Sequence, residues 1–153
     1  MTIQVDTREH ARAIKKILAT FDELGVKHYS SKLYVGDYMS LDNPRLVIDR
    51  KQNLFELCNN LGQDLERFRA ELVRAKEAGI RIIILCEHGK GIKVLSDVLT
   101  WVNPRLKESP MAISGERLYR KMAVLHRTYG VEWAFCTKEE TGHRIVEILG
   151  GVK

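Results

Sequence analysis

The run IRIIILC at residues 80–86 constrains this chain more than any other feature. A continuous apolar stretch of strand length, entered through Gly79, lacks the alternation of a strand with one wet face. It therefore predicts a central strand covered by helices on both sides. It is far too short to cross a bilayer, and Arg81 interrupts it.

The flanking patterns alternate strand and helix. Residues 3–6 read as a short strand, followed by a helix from about residue 9 with Ile14, Ile17, Leu18, Phe21 and Leu24 on one face and Gly25 as its stop. Residues 28–35 and 45–50 read as a strand pair joined through the turn Leu41-Asp42-Asn43-Pro44. A helical stretch follows, with Leu54, Cys58, Leu61, Leu65, Phe68 and Leu72 spaced three and four apart, and Gly62 marks a break. After the apolar strand come helices at 92–101 and 114–129, a strand at 131–136 and a closing helix at 138–149. The order predicts one compact α/β domain of 153 residues, its sheet antiparallel early and parallel late.

Other classes fall away. The N-terminus MTIQVDTREH has no signal-peptide pattern. The three cysteines, Cys58, Cys86 and Cys136, form no CxxC pair, so reduced thiols in a cytoplasmic setting are expected. Gly89-Lys90-Gly91 lacks the spacing of a nucleotide-binding P-loop, and no nucleotide cofactor or membrane partner is expected. The net charge of +5 is regional: Arg105, Lys107, Arg117, Arg120, Lys121 and Arg127 face only Glu108 and Glu116 in their stretch. Such a surface suits phosphates, although a solvated helix face would look the same. Leu118, Met122, Leu125 and Tyr129 form the core stripe of that helix, which turns Arg117, Arg120 and Lys121 outward for DNA. Ser114 opens it, either as a plain N-cap or as part of a phosphate site.

The chemistry concentrates at acids placed where strands end. Asp6 and Glu9 lie in VDTREH, Asp37 in VGDY, and Asp49 in VIDRK with Lys51 two residues on. Residues two apart on a strand share a face, so Asp49 and Lys51 project together while Arg50 points away. If 34–37 lies beside 46–51, Asp37 approaches Asp49. Two carboxylates about 4 Å apart repel by roughly 4 kcal/mol at a surface-like dielectric. A shared proton or a divalent cation relieves that cost, and oxygen-only ligands suit Mg²⁺ or Mn²⁺. Metal, water and an ammonium group together can hydrolyse a phosphodiester. Taken alone, Asp-x-Lys also fits two strand-end acids in surface ion pairs.

VDTREH, VGDY and VIDRK, in that order, resemble the nuclease domain of XPF-type structure-specific endonucleases. Their pattern is V-D-x-R-E, then G-D-[YF], then E-R-K-x-x-x-D; LGQDLERF resembles the family segment ending in G-R-[LF]. The likeness continues through IRIIILC to the terminal strand and helix and covers nearly the whole chain. It implies a restriction-endonuclease-like fold, with a mixed central sheet flanked by helices. It also implies Mg²⁺- or Mn²⁺-dependent cleavage of branched or flapped DNA in repair or recombination. Asp37 and Asp49 would be metal ligands, with the Arg50 backbone carbonyl a third, and Lys51 would be the catalytic lysine. Asp6 would support the metal, Arg8 and Glu9 would brace the site or approach the scissile phosphate, and Arg67 would touch substrate. The chain departs from the pattern in having Asp49 where the family has Glu, and Phe55 in place of the acid after the lysine, with Glu56 adjacent. No helix-hairpin-helix or helicase domain accompanies residues 1–153, so a stand-alone nuclease of a bacterial cell, phage or prophage is expected and a homodimer stays open. The rival is a non-catalytic DNA-binding or scaffolding module on the same fold.

Overall fold

The structure is a computed structural model that describes residues 1–89 and 91–151; Lys90, in the Gly89-Lys90-Gly91 segment, lies outside them. Six strands form one sheet: β1 (Thr2–Val5), β2 (Lys27–Ser30), β3 (Tyr38–Ser40), β4 (Asn43–Lys51), β5 (Arg81–Cys86) and β6 (Glu132–Phe135). Their order is β2-β1-β3-β4-β5-β6, with β3 antiparallel to both neighbours and the other pairs parallel. Helices α1 (Lys15–Glu23) and α5 (Thr141–Leu149) cover one face. The other is covered by α2 (Leu54–Leu61), α3 (Leu65–Glu77) and α4 (Gly115–Tyr129).

Burial explains this layering. Ile82, Ile84 and Cys86 of β5 enter the core under α2, α3 and α4, whereas Leu85 enters the core under α1 and α5. Both faces of β5 are thus dry, as the IRIIILC run requires. In β4 the same parity puts Val47 toward α3 and Leu46 and Ile48 toward α1 and α5. Asp49, Arg50 and Lys51 continue that alternation past the apolar segment. Gly142 lets α5 pack tightly on α1, since a Cβ there would stand 2.6 Å from the Thr20 Cβ.

Three expectations change. The segment 28–35 is not the partner of β4: only Lys27–Ser30 is strand, and it runs parallel to β1 at the sheet edge. The partner is Tyr38–Ser40, which meets β4 across the two-residue turn Leu41-Asp42. The first helix begins at Lys15 rather than near Glu9, because residues 6–14 turn back on themselves, with the Glu9 amide donating to the Asp6 carbonyl and the Ala13 amide to the His10 carbonyl. The expected helix at 92–101 is a short 3-10 turn, Leu95–Thr100, capped by Asp97 accepting from the Lys93 and Val94 amides. The break at Gly62 and the Ser114 start of α4 fall where the sequence placed them. All three cysteines are free thiols. Among the described residues, no helix is long and apolar enough to cross a membrane.

Candidate active site

The acids converge because a glycine lets the chain reach the end of β4. Gly36 adopts φ +77°, and a Cβ there would sit 3.0 Å from Val47 Cγ2 and 3.2 Å from the Ile48 carbonyl oxygen. With that approach allowed, the Asp37 amide donates to the Ile48 carbonyl at 2.8 Å and Asp37 Oδ2 accepts the Arg50 amide at 2.7 Å. The Asp37 side chain is thereby fixed against the strand that carries Asp49. An N–H and C=O of one strand residue point to the same side. The Arg50 carbonyl, expected as a ligand, is thus directed toward Asp37 rather than toward β5.

Asp49 and Lys51 are buried and share a face, with Lys51 Nζ 3.6 Å from Asp49 Oδ1 and 3.8 Å from Glu56 Oε2. The lysine lies over the Phe68 ring at 5.7 Å, which supports its stem from α3. Together these groups open on a cleft of about 190 Å³ lined by Glu9, His10, Ala13, Asp37, Asp49, Arg50, Lys51, Gln52 and Glu56.

Electrostatics show what the cleft lacks. Burial, and next the neighbouring Asp49 carboxylate, hold the Asp37 carboxyl well above its usual range. Burial pulls the Lys51 ammonium down, but Asp49, Glu56, Glu71 and Asp37 outweigh it and keep the group cationic. Lys51 is therefore a fixed positive charge at the cleft rather than a free base. A cation held by Asp37 and Asp49 would offset the repulsion that raises the Asp37 carboxyl. Among the described residues, no three His, Cys, Asp or Glu side chains form a preassembled metal cage. Mg²⁺ nevertheless binds through one or two carboxylates and keeps several waters. An oxygen-only pair beside a carbonyl fits Mg²⁺ or Mn²⁺.

The remaining expected residues divide. Asp6 is buried away from the cleft, with Oδ1 accepting the Leu33 amide at 2.7 Å and Oδ2 accepting the Arg8 amide at 3.0 Å. Burial opposes its ionisation, yet Arg8 and the two amides hold the carboxyl below the usual value. Asp6 thus anchors the loop leading to Asp37, with no oxygen directed at a shared cation. Arg8 is exposed and feels both Asp37 and Glu71. Glu9 takes Arg50 on two bonds, Nε to Oε1 at 2.8 Å and Nη2 to Oε2 at 3.1 Å. Glu56 caps the Gln52 amide at 2.8 Å and stands beside Lys51. Arg67 is exposed on α3, one turn before Glu71 and on the same helical side.

Arg105 and Lys107, in the turn Pro104–Lys107, and Arg117, Arg120 and Lys121, on α4, lie outside this cleft. Ser114 Oγ accepts the Arg117 amide at 3.2 Å and serves as the helix cap. Arg120 pairs with Glu116. Arg105, Lys107 and Arg117 are exposed and Lys121 is half-buried.

Two residues escaped the sequence reading. Glu71 sits three residues after Phe68, at the flank of the α3 core stripe. Burial and the Asp49 charge raise its carboxyl to about 7. Glu87, which the sequence showed only beside Cys86 and His88, pairs with the buried Arg50 guanidinium and accepts the Thr141 hydroxyl at 2.6 Å. A polar residue at a core-flanking helical position was a signal for Glu71; nothing local signalled the Glu87 pairing across β4 and β5.

A mixed sheet between two helical layers, with carboxylates and a lysine at the end of β4, defines an α/β domain of the restriction-endonuclease-like kind. The family model described as the ERCC4 domain matches residues 5–147, and the chain belongs to that family. Its fold is that of the XPF nuclease domain. XPF from Aeropyrum pernix superposes with a TM-score of 0.66 at 22% identity, covering 97% of this chain and 63% of that one. XPF from Aeropyrum pernix in complex with DNA gives 0.68 at 20% identity, with the same coverage of 97% and 63%. The chain thus spans less than two thirds of those proteins. A search of the curated proteins finds no match.

Proposed function

We propose that this chain is a Mg²⁺- or Mn²⁺-dependent endodeoxyribonuclease that hydrolyses phosphodiester bonds in branched or flapped DNA. The observation that carries the reading is the approach of Asp37 to Asp49 beside a cationic Lys51, at the end of β4. The family match and the DNA-bound relative support DNA as substrate.

Asp37 and Asp49 would hold the hard cation, with the Arg50 carbonyl beside them. When bound, such a cation lowers the pKa of a coordinated water and takes up charge on a phosphoryl oxygen. Lys51 places its ammonium where negative charge grows on the scissile phosphate. Glu56 and Asp49 hold that ammonium in place. Arg8, exposed and paired with Asp6, would position a neighbouring phosphate. Arg105, Lys107, Arg117 and Lys121 add sequence-independent attraction for a DNA arm. Repair or recombination of DNA, in a bacterial or phage setting, is the context that such a substrate implies.

The test is a panel of flap, fork, four-way junction, single-stranded and blunt duplex DNA, each with Mg²⁺, Mn²⁺ or EDTA. Cation-dependent cuts at branched substrates that are lost in Asp37→Asn and Lys51→Ala are expected. Cleavage that persists in EDTA would overturn the reading.

A further inference from the structure

The loop 31–37 ends at Asp37 and presents one aromatic ring to solvent. Leu33 and Val35 are buried on either side of Tyr34, so Tyr34 faces outward and is 64% exposed. The loop is tied down at several points. Gln4 Nε2 donates to the Ser31 and Lys32 carbonyls, the Ser31 amide donates to the Val5 carbonyl, and buried Asp6 accepts the Leu33 amide. Asp37 closes it against β4. An exposed tyrosine on a floppy loop would mean little. Here the backbone to either side is hydrogen-bonded into the sheet, and the ring's position relative to the cleft is set.

That position is close to the chemistry. Three residues of extended chain reach about 10 Å at most. Stacked bases advance about 3.4 Å each along a strand. Tyr34 therefore stands within roughly three nucleotides of a phosphate held at Asp37. Its ring has a cation on one side, with the Arg74 guanidinium 6.0 Å from the centroid. Arg74 is itself exposed, as is Lys32 two residues before the ring in the same loop. An aromatic face with a cation beside it fits one ligand chemistry, a nucleobase stacked on the ring with its phosphate on Arg74 or Lys32. Bases in an intact duplex are already stacked on each other and have no free face to offer. The matching partner is an unpaired base.

We infer that Tyr34 is a stacking platform for an unpaired nucleotide of single-stranded DNA next to the scissile bond, so that the loop selects forks and flaps over blunt duplex. The inference rests on the reading of the cleft as the place where DNA is cut, but its test does not need cutting. A forked oligonucleotide carrying 2-aminopurine at its first unpaired positions is titrated with the chain in EDTA, and a blunt duplex of equal length serves as comparison. Wild type and Tyr34→Phe should bind the fork tightly and quench the probe. Tyr34→Ala should lose the quenching and bind the fork about tenfold more weakly, with duplex affinity unchanged. The inference is overturned if Tyr34→Ala quenches and binds like wild type, or if it weakens fork and duplex equally. Cleavage with Mn²⁺ is scored separately. Quenching without any cleavage would retire the nuclease reading and leave the platform standing.

Discussion

At the end of β4, consecutive residues serve opposite ends on opposite faces of the sheet. On the α3 face, Asp49 and Lys51 border a cleft in which burial and the Asp49 charge together raise the Asp37 carboxyl. On the α1 and α5 face, Arg50 is sealed between Glu9 and Glu87, and Glu87 is bonded in turn to Thr141 at the start of α5. The first face carries a repulsion between carboxylates that a bound cation would relieve. On the second the charges are saturated by pairing, with the buried Tyr38 hydroxyl left without a hydrogen-bond partner. Strain on one face is held by closure on the other, because Arg50 fixes the backbone between the two working residues.

The comparison breaks most visibly in activity. Asp49→Asn and Lys51→Ala should each lower cleavage by at least about a thousandfold, from the loss of metal-supported charge stabilisation. In EDTA the same Asp49→Asn should change the melting temperature little, since relief of the repulsion with Asp37 offsets the loss of a partner for Lys51. A large fall in Tm would show that the pair is not in conflict.

The saturated face should answer in stability instead. Glu87→Ala leaves one side of a buried guanidinium unpaired and should cost about 3 kcal/mol, a fall in Tm of roughly 10 °C for a domain of this size. Thr141→Val should cost less, about 1 kcal/mol for one hydrogen bond. Both are read from thermal melts, and an unchanged melt for Glu87→Ala would mean that the clamp contributes nothing.

A smaller effect comes from Glu71. Its carboxyl rises from the usual 4.5 to about 7 in the folded chain. The folded state then binds this proton more tightly than the unfolded state does. The resulting stability is complete below about pH 4.5 and disappears as pH rises through about 7. In EDTA the Tm should accordingly fall across that window, and Glu71→Gln should flatten the slope. A slope untouched by the substitution would detach Glu71 from the cleft. Least of all, Arg117→Glu should make the salt dependence of DNA binding shallower by about one phosphate's worth, roughly 0.9 in the log–log slope. An identical slope would assign that helix face to solvent.

Legibility followed the same division. The IRIIILC run, the break at Gly62 and the Ser114 cap are local signals, and each marked its element. Asp37, Asp49 and Lys51 were legible because their spacing on one strand and before a glycine-permitted turn is itself geometric. The role of 28–35 was not legible: its apolar and polar residues suggested a strand, but Leu33 and Val35 are buried from an irregular loop whose amide is satisfied by Asp6. Tyr38–Ser40 escaped for the converse reason, since a strand of 3 residues carries no periodicity. Glu87 and Thr141 are 54 residues apart and meet only through tertiary packing.

The most direct measurement is anomalous diffraction from a crystal of the chain soaked in Mn²⁺. The account predicts a manganese peak between the carboxylates of Asp37 and Asp49, within ligand distance of the Arg50 carbonyl. Clear density for both carboxylates with no anomalous peak between them at saturating Mn²⁺ would contradict it.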